Sequence, residues 1–292
     1  MAATIQVTVV DVFPDAIVEP LSVTLSCHLF PMEVPRFNVL GVSVSGMNLR
    51  VAVKAMLEAV RARRKGYVCV TGVHGISEAQ DDPEFRRILN ESFLNTTDGM
   101  PLVWLGRHYL GRQVDRVYGP DLMLEIFNTT QITGIRHFFY GGAPGVAEQL
   151  KTRMEERFRG LTVCGTYTPP FRPLLPPEEQ ELAEVIHVRR PDIMWIGLST
   201  PRQERFMAEY LPRLDATLMV GVGAAFDFHS GRVRQAPRWV QRSGFEWLYR
   251  MATEPRRLAR RYLVNNSLFV GRIAMQLLGL RKYPLETPRP AA

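Results

Sequence analysis

From residue 37 onward, short and nearly continuous apolar runs alternate with longer stretches whose apolar side chains recur at helical spacing. The runs predict strands over 37–44 (FNVLGVSV), 67–73 (YVCVTGV), 93–97, 135–140 (IRHFFY), 161–167, 192–198 (DIMWIGL) and 218–222. Most are apolar at consecutive positions, the pattern of parallel strands covered on both faces. Between them the spacing predicts helices. Leu49, Val53, Met56, Leu57 and Val60 share one face of a helix over 47–64, with Asn48 placed to cap it. Further helices are predicted over 77–90, where Pro83 marks a start or a break, and over 100–110, 121–127, 146–158, 177–189 and 199–210. Residues 1–36 alternate only weakly. They fit a hairpin, an exchanged strand or an extension, and no chemistry is assigned to them.

Strands and helices alternating in this way predict an α/β fold with a mostly parallel sheet and helices on both faces. Ligands of such sheets bind beyond the carboxyl ends of the strands. That rule points to the loops 71–75, 98–100, 141–145, 199–204 and 223–231. Asp98, in Thr-Thr-Asp-Gly, is either a general base for a hydroxyl or a turn residue capping the following helix. The run GGAPG offers amides at Gly141 and Gly142 to phosphate oxygens. It lacks the GxGxxG spacing of dinucleotide sites, and a plain strand-to-helix turn fits it as well. Ser199 to Glu204 (STPRQE) reads as a helix start with Ser or Thr as cap, holding Arg202 and Gln203 toward a base or a sugar. Asp227, between phenylalanines, either orients a ligand hydroxyl or pairs with Arg232 or Arg234. His229 has no acidic or histidine neighbours at ligand spacing, so no metal site is predicted there.

Charge changes the picture at the C-terminal end. Between Arg232 and Lys282, twelve Lys or Arg stand against two acids, Glu246 and Glu254. A chain of net charge +7 thus divides into a basic end of +10 and a body of about −3. Such an end seeks phosphate on nucleic acid, anionic lipid or a phosphorylated substrate. Arg250, Arg257 and Arg260 fall on one face if Pro255 does not break the helix. They are either a diphosphate clamp or a solvated basic face. Apolar residues interleave with them, and a helix over 267–280 with basic ends suits a membrane interface, the body, or a second copy of the chain. No run is long and apolar enough for a transmembrane helix, and no signal-peptide pattern opens the chain. Three scattered cysteines without CxxC or zinc spacing suit a reducing cytosol.

Several stretches, in order, carry a resemblance: DGMPLVW (98–104), RVYGPDL (116–122), FFYGGAPGVAE (138–148), STPRQE (199–204), and FDFHSGRVRQAPRW through GFEWLYRMATEPRRLARRY (226–262). Together they resemble the WecG/TagA/CpsF bacterial glycosyltransferases over roughly residues 37–270. The resemblance implies a Rossmann-like catalytic body over 37–231, preceded by an extension over 1–36. It also implies a basic amphipathic appendage over 232–292 that associates with the membrane and completes the site. It implies inverting transfer from a UDP-sugar donor to a polyprenyl-diphosphate-linked sugar acceptor, in the cytoplasm at the inner face of the plasma membrane. It implies neither metal nor nucleic acid, and leaves a homo-oligomer open. Asp98 matches the proposed base, Arg116 an active-site arginine, Gln203 a donor contact, and Arg250, Arg257 and Arg260 the appendage arginines. The family's Thr-x-Asn pattern is met only in Thr71; Val73 stands where the asparagine would be, and His74 follows. Two other classes compete. A dinucleotide-dependent oxidoreductase lacks its glycine fingerprint, and a non-enzymatic polyanion or membrane binder leaves the five loops unexplained.

Overall fold

The computed structural model describes residues 33–253 and 255–285, with the backbone alone at 256–262. The chain divides into Met1–Met32 and Glu33–Ala292, and the first of these lies outside the described residues. The described chain opens with an antiparallel hairpin, β1 (Arg36–Val39) and β2 (Val42–Ser45). The expected single strand over 37–44 is therefore broken in two. Leu40 and Gly41 both turn through positive φ (52° and 81°), the geometry of a tight hairpin. The hairpin stands apart from the main sheet and binds its edge through side chains: the Asn95 amide N–H donates to Ser45 Oγ, and Asn95 Nδ2 to the Ser43 carbonyl.

The main sheet contains β3 (Gly66–Thr71), β4 (Leu94–Thr97), β5 (Arg136–Gly141), β6 (Thr162–Tyr167), β7 (Ile193–Gly197) and β8 (Leu218–Gly221). Its order is β4-β3-β8-β7-β5-β6, and all five pairings are parallel. Alternation along each strand fills both sides. His137, Phe139 and Trp195 pack with Phe127 and Phe226 on one face. Phe138, Tyr140, Met194 and Ile196 enter the core on the other. There Tyr140 stacks between Tyr167 and Phe206, and Phe206 on Tyr210. Within the first layer His137 is fully buried. Its Nδ1 receives the Trp195 indole N–H (3.2 Å), so its Nε2 carries the proton toward Thr130 Oγ1 (2.9 Å).

Helices α1 (Leu49–Arg61), α2 (Val73–Asp81), α3 (Pro83–Glu91), α4 (Met100–Leu110), α5 (Gly119–Thr130), α6 (Val146–Arg157), α7 (Pro176–Arg189) and α8 (Arg202–Tyr210) cover these faces. Asn48 caps α1 as expected, accepting from the Val51 amide at 3.1 Å. The helix expected over 77–90 is two helices. Asp82 accepts from the Phe85 amide and Pro83 takes the first helical position, so a new helix starts where the old one would have lost a hydrogen bond.

After β8 come α9 (Ala225–His229), α10 (Arg238–Ser243), α11 (Glu246–Thr253) and α12 (Pro255–Leu277). Pro255 opens α12, so Arg250 belongs to one helix while Arg257 and Arg260 belong to the next. The single arginine face expected across 250–260 does not exist as one helix. The terminal helix also begins well before the expected Ser267. Its far end is clasped by the hairpin: Gln276 Nε2 donates to the Asn38 carbonyl, Gln276 Oε1 accepts from the Leu40 amide (2.8 Å), and Asn38 Nδ2 donates to the Tyr283 carbonyl. Midway, Asn265 meets His74 of α2 at 2.8 Å. Among the described residues no helix is long and apolar enough to cross a membrane.

Candidate active site

The carboxyl ends of the central strands are tied together beyond the last ladder bond. The Asp98 amide donates to the Thr71 carbonyl (2.9 Å), the Gly142 amide to the Gly197 carbonyl (3.0 Å), and the Val222 and Gly223 amides to the Ile196 carbonyl. These bonds tie the loop after β4 to the end of β3 and the loops after β5 and β8 to the end of β7, and the pairing of β3 with β8 brings the two groups onto one rim.

Two cavities open on this rim. One of about 900 Å³ is lined by Gly142, Ser199, Gln203, Asp227 and Arg250, with the proline-rich loop 169–174 as its outer wall. The other, about 800 Å³, lies between α2, α4, α11 and α12. Met100, Trp104, Phe269, Ile273 and Leu277 make its walls, with Arg116, Gln241 and Glu246 at its base. Asp98, Tyr118, Thr200 and Arg250 line both. Asp98 therefore stands at the junction, where a group in one cavity meets a group in the other.

Asp98 does not cap α4; Gly99 occupies that position. Its Oδ1 is buried without a hydrogen-bond partner, and the side chain, 32% exposed, opens to the cavities rather than to bulk water. Burial pushes its carboxyl up to about 6. Arg116 and Arg250 pull it down, while Glu246 and Asp121 push with the burial. A carboxylate so placed takes a proton readily near neutral pH. Arg116 lies 3.7 Å from Asp98 Oδ1, yet its strong bonds go elsewhere. Its Nε donates to the Asp98 main-chain carbonyl, Nη1 to the Gln241 carbonyl (3.2 Å) and Nη2 to Glu246 Oε2 (2.6 Å). Its guanidinium lies 4.0 Å from the Tyr118 ring centroid. Burial works against this cation, but Asp98 and Glu246 outweigh it and hold its pKa above the ordinary value.

The remaining candidates divide. Gln203 is buried and bonds through Nε2 to Glu204 Oε1 (3.0 Å), leaving its own Oε1 buried without a partner, an acceptor aimed at the rim. Thr200 Oγ1 donates to the same Glu204 oxygen, and Pro201 rather than Ser199 or Thr200 stands at the α8 N-cap, which corrects the expected cap. Asp227 is half-buried on α9 and lines the larger cavity; no ion pair joins it to Arg232 or Arg234. Arg250 sits 5.6 Å over the Phe228 ring. Gly142 lines the larger cavity, but its amide is already bonded to Gly197, so it is not available to a phosphate as expected. Gly141 has φ 118°, and a side chain there would meet the Gly197 carbonyl oxygen at 2.6 Å; it lets β5 close against β7. Thr71 lines neither cavity, and its hydroxyl is buried without a partner at the end of β3. The side chains of Arg257 and Arg260 lie outside the described residues.

Two functional candidates escape sequence reasoning. Glu246 accepts from both Arg116 and, at 2.9 Å, the Tyr118 hydroxyl. It was visible only as one of two acids in a basic segment and as part of GFEWLYR, and Tyr118 only as part of RVYGPDL, with no role read for either. Among the described residues no three His, Cys, Asp or Glu side chains form a group able to hold a metal ion. A cation carried on a substrate diphosphate needs only one or two protein carboxylates, so that observation leaves metal use open.

The arrangement suits a reaction between two bound molecules: a half-buried carboxylate at the meeting point, cations beside it, and separate chambers of different polarity. The sequence model of the glycosyl transferase WecG/TagA/CpsF family matches residues 37–283, which takes in the whole sheet, both cavities and α12. The chain belongs to the WecG/TagA/CpsF family of glycosyl transferases, enzymes that pass a sugar from a donor to an acceptor.

Proposed function

We propose that this enzyme moves a sugar, with inversion, from a UDP-sugar to a polyprenyl-diphosphate-linked acceptor at the cytoplasmic face of the plasma membrane. The observation that carries the reading is the position of Asp98 where the more polar of the two cavities meets the more apolar one. The donor occupies the larger cavity, with its diphosphate toward Arg250 and the base or ribose toward Gln203 and Asp227. The acceptor enters through the apolar cavity, whose walls suit a prenyl chain next to a polar head.

Asp98 removes the proton of the acceptor hydroxyl as that oxygen forms its bond to the anomeric carbon. The bond from that carbon to the diphosphate breaks on the opposite side, and UDP leaves with the electron pair. The charge that builds on the leaving diphosphate falls to Arg250, which lines both cavities, with Arg257 and Arg260 proposed to join it. No metal is invoked. Thr71 is proposed to contact the donor once the loop after β3 adjusts to it. The appendage over 232–292 completes the site and rests on anionic membrane, since Phe245, Leu248, Leu268 and Val270 present apolar surface to solvent. A second copy of the chain would cover the same surface away from lipid.

The test is transfer measured in EDTA with a panel of UDP-hexoses and UDP-N-acetylhexosamines and a short prenyl-diphosphate-linked sugar, with product stereochemistry read by NMR. Transfer with inversion by the native enzyme, lost in Asp98→Asn while UDP still binds, supports the reading. Retention of configuration, or a fully active Asp98→Asn, overturns it.

A further inference from the structure

We propose that Glu246 is a positioning residue: from the C-terminal helices its carboxylate draws the Arg116 guanidinium out of hydrogen-bond reach of the Asp98 carboxylate, so that the base keeps a long ion pair to a cation without a hydrogen bond from it. The geometry is direct. Arg116 Nη2 is 2.6 Å from Glu246 Oε2 but 3.7 Å from Asp98 Oδ1, and that Asp98 oxygen has no hydrogen-bond partner. The other Arg116 nitrogens donate to main-chain carbonyls of Asp98 and Gln241, which fixes the plane of the guanidinium. Glu246 is itself held: Tyr118 donates to its second oxygen, and its side chain is 12% exposed. Without Glu246, the nearest anion to Arg116 is Asp98. A charge-assisted pair there would weaken Asp98 as a base and occupy the oxygen that must receive the proton.

The device also links two parts of the chain. Arg116 and Tyr118 come from the segment between α4 and α5, while Glu246 opens α11. Asp98 escapes a direct hydrogen bond from Arg116 only when α11 is seated, so docking of the C-terminal helices sets the chemistry as well as the walls. The charged and titratable groups facing Asp98 are Arg116, Tyr118 and Asp121 from the body and Glu246 and Arg250 from α11, with His74 and His108 across the apolar cavity.

This inference rests on Asp98 being the base, and the experiment separates the two claims. The full chain, labelled with ¹³C at the aspartate carboxyl, is titrated by NMR, and the Asp98 signal is assigned by its loss in Asp98→Asn. The native signal should titrate near pH 6. In Glu246→Gln it should titrate lower by about one pH unit. The acid limb of the transfer rate should move with it, and the alkaline plateau should fall about tenfold while UDP affinity holds. Tyr118→Phe, which removes one oxygen and leaves the Arg116–Glu246 pair, should shift both in the same direction by less. Glu246→Asp should recover part of the native profile. An Asp98 titration unmoved in Glu246→Gln and in Tyr118→Phe overturns the proposal. A titration that moves, together with full transfer by Asp98→Asn, overturns instead the reading of Asp98 as the base.

Discussion

Replacing Asp98 by Asn should stabilise the protein while it removes activity. The side chain keeps its shape and loses only its charge. That charge is costly in the fold, because burial lifts the carboxyl from its ordinary 3.8 to about 6. Each unit is worth about 1.4 kcal/mol, which sets an upper bound of about 3 kcal/mol for the penalty carried at neutral pH. One side of Asp98 faces a wet cavity, so about 1–2 kcal/mol is the expected gain. For a chain of this size that is a rise of roughly 2–6 °C in Tm. The sign with pH follows from a folded value above the unfolded one. Below 3.8 the native residue is protonated in both states and the substitution gains nothing; as pH rises through about 6 the fold bears the full penalty. Melting curves of both proteins from pH 8 to pH 5 should show a gain that shrinks by about half at the acid end. A variant that melts at or below the native protein at pH 8, or an offset constant across this range, would refute the argument.

His137 gives a second pH dependence, of opposite sign. Burial depresses its pKa from 6.5 to about 3, so its contribution is present above pH 6.5 and is lost as pH falls toward 3; His137→Gln should flatten the acid side of a urea-denaturation series. Gly141→Ala forces a methyl group to within 2.6 Å of the Gly197 carbonyl oxygen at φ 118°, and should cost about 2–4 kcal/mol in the same assay. Gln276→Ala removes both bonds that Gln276 makes to the hairpin. It should speed hydrogen exchange in α12 without changing exchange in β3 or β7, with a loss of about 1–2 kcal/mol.

What the sequence revealed, and what it did not, follows the range of the interactions involved. β5 and β7 were legible because IRHFFY and DIMWIGL are apolar at most buried positions, with His137 and Asp192 the buried polar exceptions, and a parallel sheet demands such runs locally. The loops after the strands, and Asp98 among them, followed from topology. The hairpin was missed because its turn lies inside an apolar run, with Gly41 as the only break and Leu40 forced to positive φ beside it. The division at Pro83 was half-read: Asp-Pro is a helix start, but only the Phe85 amide bonded to Asp82 shows that the preceding helix has stopped. At Pro255 the arginine spacing was taken across a proline that begins a helix. Glu246 was unreadable for a different reason. Its partners Arg116 and Tyr118 lie 130 and 128 residues earlier, and nothing local marks an acid in a basic segment as theirs. The two cavities share that property, since their walls come from both ends of the described chain.

The clasp between Asn38 and Gln276 joins residues 238 apart. Synthesis delivers the hairpin 238 residues ahead of its partner in α12, so in the interval the hairpin waits with its carbonyl and amide unanswered. The sheet pairs and its helices settle in the meantime. Asp98 is then already seated at the rim, but the apolar cavity has no outer wall and Arg116 has no Glu246. Enclosure comes only when α12 reaches back to β1 and β2, and until that moment the nascent chain holds Asp98 open to water. Chain order thus sets a sequence of events: the sheet and its rim assemble before the helix that walls the apolar cavity is available to cover them.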